Sequence, residues 1–334
     1  MTTIPTIPTI PTISTIPTIH PRNIEHLVLS GGGLLGISYI GLFKYFEEHN
    51  ALHKLQSITG CSAGAIFGSL LAIGYNSKEL DTLIKTMVFK DYLKINVDSI
   101  LNFISTKGFE SGKNLNIFIK KCIKDKTGDD TITFLQIYDR YSIKLQIGVT
   151  NLTKSKFELF NKDTTPDIPI EKAISASIAL PFIFEPIIIG DDIYCDGGLL
   201  DNLPIENLIE THIENELDSN VDKKINEKEV NNEDIVNKSF SIVGFYLINK
   251  STIVNKDNYK LIALSQYINV MTHTLSKNII HKKIQDDKKN KYKIITIEIP
   301  CDIMTFIKLN ATHDDINNII DIAYNITKND LKLK

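Results

Sequence analysis

A layered α/β fold around a largely parallel sheet is what this sequence predicts, and three observations carry it. Short apolar runs of strand length alternate with longer stretches of helical periodicity. The first two runs stop on glycines that open directly into a helical segment. The length of 334 residues suits one large α/β domain with a sizeable core.

In chain order, His26-Leu27-Val28-Leu29-Ser30 is apolar and ends at three glycines, as a buried strand does. Residues 37–50 read as a helix and Ser57-Ile58-Thr59 as a second short strand. Residues 63–75 are apolar nearly all round, which predicts a buried helix. Asn76 with Glu79 makes a capping box for a helix running to about Phe89. Strand signals return at 143–150, 156–160, 187–189, 193–195, 240–247 and 292–299. Helical periodicity returns at 259–284 and 314–326.

Two segments stand apart. Residues 3–20 repeat a triplet, from Thr3-Ile4-Pro5 through Thr15-Ile16-Pro17, decaying at Thr18-Ile19-His20. Proline at every third position removes backbone donors and forbids helix, so residues 1–23 are expected to form an extended, disordered arm. Residues 24–334 then form one domain. Within it, residues 211–238 carry eight acidic side chains, four Lys and six Asn, with no aromatic, Gly or Pro. They read as a mobile acidic insertion, with a folded acidic surface helix as the alternative.

Composition narrows the partners. With 37 basic and 40 acidic side chains the net charge is −3, which leaves no electrostatic footprint for nucleic acid. Only Arg22 and Arg140 among the basic residues are arginines, and bidentate phosphate or guanine recognition leans on Arg. Cys61, Cys122, Cys195 and Cys301 show no CxxC spacing, which argues against a zinc site or a disulfide framework and fits a reducing compartment. No window holds 18 apolar residues without charge, and the N-terminus lacks the features of a signal peptide. A cytoplasmic protein without metal or cofactor is expected.

Three constellations carry chemistry. Gly60-Cys61-Ser62-Ala63-Gly64 follows a strand and opens an apolar helix, the context in which G-x-S-x-G becomes a nucleophile elbow. The pentapeptide alone also describes a strand–helix turn with no chemistry. Ser30-Gly31-Gly32-Gly33-Leu34-Leu35-Gly36 is a second strand–helix turn, where unshielded N–H groups can hold an oxyanion. Gly31, Gly33 and Gly36 also satisfy the dinucleotide spacing G-x-G-x-x-G. That reading needs an acidic residue at the end of the next strand, which here runs into Thr59-Gly60, while Glu47 and Glu48 fall in the intervening helix. Asp196-Gly197-Gly198 follows a strand and can present a carboxylate at the same sheet edge as Ser62. By itself it is also an ordinary hairpin turn.

These blocks, in this order, resemble the patatin-like phospholipase family of lipid acyl hydrolases. Ala176-Ser177-Ile178-Ala179-Leu180-Pro181 is similar to the family's A-S-x-x-x-P segment, and Asn202-Leu203-Pro204 to its N-x-P. Lys107-Gly108-Phe109 through Leu115 is similar to its K-G-[LF]…G…L stretch. The resemblance spans about residues 25–210. It implies a three-layer α/β/α sandwich and hydrolysis of acyl esters in phospholipids or glycerolipids, with transient contact to a membrane surface. It implies Ser62 as nucleophile, Asp196 as its partner in a dyad, and Gly31, Gly32 and Gly33 as oxyanion donors, supported by Gly36, Gly60, Gly64, Gly197 and Gly198. It implies no metal.

Alternatives stay open at this point. A Ser-His-Asp triad would need His212, His273, His281 or His313, none of which sits in a Gly-rich or strand-end turn. A non-lipid carboxylesterase or thioesterase could use the same dyad, and a catalytically silent protein could use the arm or the insertion to bind partners. The apolar residues among 88–109, Phe103 and Phe109 included, read either as packing against the sheet or as a lid that meets lipid.

Overall fold

The computed structural model describes residues 24–92, 103–207, 242–249, 274, 292–300 and 311–332. The triplet arm, the acidic insertion, nearly all of the predicted helix at 259–284, and His212, His273, His281 and Cys301 lie outside the described residues.

Strands β1 (His26–Leu29) and β2 (Ser57–Cys61) pair in parallel, with β1 flanked on its other side by β9 (Ile242–Asn249) and then β10 (Tyr292–Ile299), also parallel. On the far side of β2 lies β4 (Lys144–Asn151), again parallel. Beyond β4 lies β5 (Lys156–Phe160), antiparallel, while the C-terminal half of β4 also pairs antiparallel with β8 (Asp192–Asp196), which pairs with β7 (Ile187–Ile189). The described strands thus form an eight-stranded, mixed and mostly parallel sheet. A second small sheet pairs β3 (Gly108–Glu110) with β6 (Phe182–Phe184).

Both faces of the central strands are buried, as parallel strands covered on each side must be. Leu27 and Leu29 of β1 enter the main core with Phe43 and Phe46 of helix α1 (Tyr39–Glu48). Val28, between them, points to the opposite face and joins Leu203, Ile205, Ile242, Tyr246 and Tyr292. Helix α2 (Ala63–Ala72) follows β2 and is buried almost throughout, as its all-round apolar sequence requires.

The Asn76–Glu79 capping box is formed, with both reciprocal bonds at 2.9 Å, and starts α3 (Ser77–Lys85). That helix stops short of Phe89, where a separate 3-10 turn, Phe89–Asp91, begins. Another 3-10 turn, Gly33–Ser38, precedes α1, so the regular helix starts later than periodicity alone suggests. Three helices fall where no element was assigned from sequence: α4 (Lys113–Thr127), α5 (Phe134–Tyr141) and α6 (Ile170–Ser177). The final helix α7 (His313–Leu331) contains the predicted segment 314–326 and packs against α1. No helix among the described residues is long and apolar enough to cross a membrane.

Candidate active site

Strand β4 acts as a ruler for the site. Gly148 pairs with Cys61 on one edge and Leu159 on the other, and Val149 pairs with Asp196 and Glu158. β5 therefore occupies one edge, while β2 and β8 share the other, one after the other. β2 runs parallel to β4 and β8 runs antiparallel, so their C-terminal ends meet head to head at positions 148 and 149. Ser62 and Asp196, 134 positions apart in sequence, are brought together by that junction.

Ser62 sits on the turn between β2 and α2 with φ 51° and ψ −119°, a conformation costly for a side chain that bears a Cβ. Neighbouring backbone enforces it. A Cβ on Gly60 would lie 2.3 Å from the Gly64 carbonyl oxygen, and one on Gly64 would lie 2.2 Å from that of Leu29. Only glycine lets α2 press this closely against β1 and β2. The Ser62 N–H donates to Ser177 Oγ at 2.9 Å, and that hydroxyl donates to the Gly148 carbonyl at 2.7 Å, tying the turn to β4. Ser62 is half-buried and stands at the N-terminus of a ten-residue helix, which favours negative charge there.

Asp196 is 3% exposed. Its main chain is fixed by its N–H donating to the Ala179 carbonyl at 2.9 Å and by Thr150 Oγ1 donating to its own carbonyl at 3.0 Å. Its Oδ1 accepts the Gly198 N–H at 2.7 Å and the Cys61 thiol at 3.9 Å, and the Ser62 hydroxyl is near enough to favour the ionised carboxylate. Burial lifts the carboxyl to about 6, with Ser62, the Gly198 N–H and Cys61 pulling the other way. Burial first, then the charge of Asp196, pushes the Cys61 thiol well up, so it remains a protonated donor.

The glycine loop closes over this pair. A Cβ on Gly31 would lie 2.8 Å from Ser62 Cβ, and one on Gly36 would lie 2.8 Å from Ala63 Cβ. Gly33 has φ +55° and is exposed, with nothing within 4 Å of its would-be Cβ. The Gly31 N–H is donated to Asn202 Oδ1 at 3.0 Å, whereas those of Gly32 and Gly33 have no acceptor among the described residues. Gly197 lies against the Gly148 carbonyl and Gly198 against Asn202 and Asp196. All ten residues singled out from the sequence thus share one neighbourhood. Sequence reasoning missed the supporting parts of Ser177, Asn202 and Cys61, although each lies inside one of the motifs.

The described histidines are elsewhere. His26 pairs with Ser57, five positions before Ser62, so about 16 Å separates them along the strand. His313 is exposed at the start of α7, its Nε2 3.3 Å from the Lys85 carbonyl. Among the described residues no three His, Cys, Asp or Glu side chains cluster as a metal site would require.

Comparison with known proteins gives the family and the fold. The profile of the patatin-like phospholipase family fits residues 27–209, which include every residue of the site. An uncharacterized protein, R571, of Acanthamoeba polyphaga mimivirus is 29% identical over 253 residues, covering 75% of this chain and 82% of that one. A probable lipid hydrolase, 463L, of Invertebrate iridescent virus 6 is 30% identical over 196 residues, covering 58% of this chain and 66% of its own length. The crystal structure of VipD from Legionella pneumophila shares the fold with a TM-score of 0.52 at 16% identity, over 93% of this chain and 67% of VipD. Since the family profile extends over more than half the sequence, the chain belongs to the patatin-like phospholipase family.

Proposed function

We propose that the chain is a serine acyl hydrolase that cleaves ester bonds of phospholipids or related glycerolipids, in one catalytic domain from residue 24 onward. Ser62 is the nucleophile, Asp196 its base, and the glycine loop the oxyanion site. The observation that carries the reading is the head-to-head junction of β2 and β8 on β4, which sets Ser62 next to the buried carboxyl of Asp196.

The Asp196 carboxylate takes the Ser62 proton as Oγ attacks the ester carbonyl carbon. The carbonyl oxygen becomes an oxyanion and accepts from the glycine loop. The Gly31 N–H is committed to Asn202, so Gly32 and Gly33 supply the free donors. When the tetrahedral intermediate collapses, the C–O bond to the alcohol breaks and Asp196 returns its proton to the departing oxygen. Water then repeats the sequence on the acyl-enzyme, giving up its proton to Asp196 and releasing the fatty acid and free Ser62. A carboxyl lifted to about 6 is ionised at neutral pH, yet is a stronger base than a solvated aspartate.

Exposed apolar side chains support lipid over a soluble ester. Leu200, just past the Asp196 turn, is 39% exposed; Phe182 is 51% and Ile104 80% exposed. Phe182 lies over Phe103 at 6.3 Å, which in turn stacks on Phe109 at 4.4 Å. Such a surface is suited to transient contact with a membrane. Mass spectrometry of products released from phospholipid and triacylglycerol vesicles tests the proposal. Free fatty acid and the matching lysolipid or partial glyceride are expected from wild type and from no reaction with Ser62→Ala. Cleavage of soluble esters alone would move the assignment to a non-lipid esterase.

A further inference from the structure

Two successive peptide groups in the glycine loop are each held from both ends. In the Ser30–Gly31 peptide, the carbonyl accepts the Tyr39 hydroxyl at 2.7 Å and the N–H donates to Asn202 Oδ1 at 3.0 Å. In the Gly31–Gly32 peptide, the carbonyl accepts from Asn202 Nδ2 at 3.2 Å and from Ser30 Oγ at 3.1 Å. Ser30 Oγ is itself anchored by the Leu247 N–H at 3.0 Å. The N–H at the far end of that second peptide belongs to Gly32 and has no acceptor among the described residues.

The two ends of a trans peptide point in opposite directions, and no cis bond occurs among the described residues. With the Gly31 carbonyl drawn towards Asn202 and Ser30, the Gly32 N–H must face away from them. A carbonyl that accepts two hydrogen bonds also polarises its amide and strengthens the N–H as a donor. Asn202 reaches the other half of the site too, since a Cβ on Gly198 would lie 2.8 Å from its Oδ1 and 3.0 Å from Asp196 Oδ1. A Cβ on Gly31 would sit 2.5 Å from Asn202 Oδ1 and 2.8 Å from Ser62 Cβ. One side chain therefore links the glycine loop after β1 to the carboxylate turn after β8, across the serine.

We propose that Asn202 is a positioning residue for ester cleavage: its amide grips both faces of Gly31 and thereby aims the Gly32 N–H at the developing oxyanion. This rests on the acyl-hydrolase reading above. Asn202 touches no reacting atom; it acts through the peptide it holds. Such a role has a signature that a merely structural bond lacks. It should weaken binding of species that carry the oxyanion while leaving substrate binding alone.

The test compares wild type, Asn202→Ala and Asn202→Asp on a soluble p-nitrophenyl ester, with thermal stability measured alongside. A trifluoromethyl ketone, whose hemiketal places an oxyanion in the site, serves as the probe. Asn202→Asp is nearly isosteric and keeps an acceptor for the Gly31 N–H but loses the donor to the Gly31 carbonyl; its added charge beside Asp196 shifts the acid limb of kcat/KM upward, so if Asn202→Ala does not fold, the plateau above that limb is what is compared with wild type. The expected result is kcat lower by about 30-fold with KM within about twofold, below the 10²–10³ typical for outright loss of one oxyanion donor. The ketone should lose affinity in parallel. Unchanged kcat and ketone affinity, or a loss confined to KM or tracking thermal stability, would overturn the proposal. The underlying reading fails separately, if wild type itself shows no activity that depends on Ser62.

Discussion

The two glycine-bearing turns that follow β1 and β2 look alike in sequence and differ in what presses on them, main chain at the elbow and side chains at the loop. The elbow after β2 is fixed by packing, because at Gly60 and Gly64 neighbouring backbone stands 2.2–2.3 Å from where a Cβ would be. The loop after β1 is fixed by hydrogen bonds from Tyr39, Ser30 and Asn202, and at Gly33 opens onto empty space. Glycine serves in one place to let backbones touch and in the other to leave amides bare. The nucleophile thus rests on a joint closed by main-chain contact, while the proposed oxyanion donors rest on a strap held by side-chain hydrogen bonds.

The largest effect that sharpens this contrast belongs to the elbow. Gly64→Ala should destabilise the fold by more than about 4 kcal/mol, the range of severe overpacking and backbone strain. Denaturant unfolding would show a lowered midpoint or no native baseline. A variant as stable as wild type would mean that the elbow is not held by packing.

Asp196→Asn should separate activity from stability at the same junction. Turnover should fall by about 10³-fold or more, because an amide cannot take the Ser62 proton. The fold should be stabilised at neutral pH by up to about 3 kcal/mol, since a carboxyl lifted to about 6 from an ordinary value near 4 is disfavoured as a buried anion. The sign follows from linkage. Between about pH 4 and 6 the folded protein holds a proton that the unfolded chain has released, so this group's contribution to stability declines as pH rises through 6. Activity runs the other way, and wild-type kcat/KM should climb as pH rises through about 6 and then level. An equal denaturation midpoint for the two proteins at pH 7.5, or an acid limb near 4, would contradict the burial argument.

The smallest structural effect belongs to the loop. Gly33→Ala meets no atoms, so only its φ of +55° is penalised, at about 1 kcal/mol. Thermal stability should move by a few degrees while kcat drops disproportionately. A stability loss as large as that of Gly64→Ala would erase the distinction between the two turns.

Much of the architecture was legible because it is written locally. The apolar run ending at Gly31, the strand before Gly60 and the Asn76–Glu79 box each place a backbone signal within a few residues of what it controls. Helix α5 carried such a signal too, the Thr133–Gln136 capping box, in front of a stretch only eight residues long. α6 begins after Pro169, a helix-start residue that could have flagged it. The support of the site was not legible in this way. Ser177 acts on partners 115 and 29 positions distant, and Asn202 on one 171 positions distant. Nothing in their immediate surroundings encodes those contacts. The meeting of Ser62 with Asp196 depends on three strands sharing β4, a fact of register that no periodicity reveals.

The central claim is that Asp196 activates Ser62 across the strand junction, and labelling with a fluorophosphonate tests it most directly. Intact-protein and peptide mass spectrometry should find a single adduct on Ser62 in wild type, forming at least about 10²-fold more slowly in Asp196→Asn at pH 7.5. Equal labelling rates in the two proteins, or an adduct on any other residue, would contradict the account.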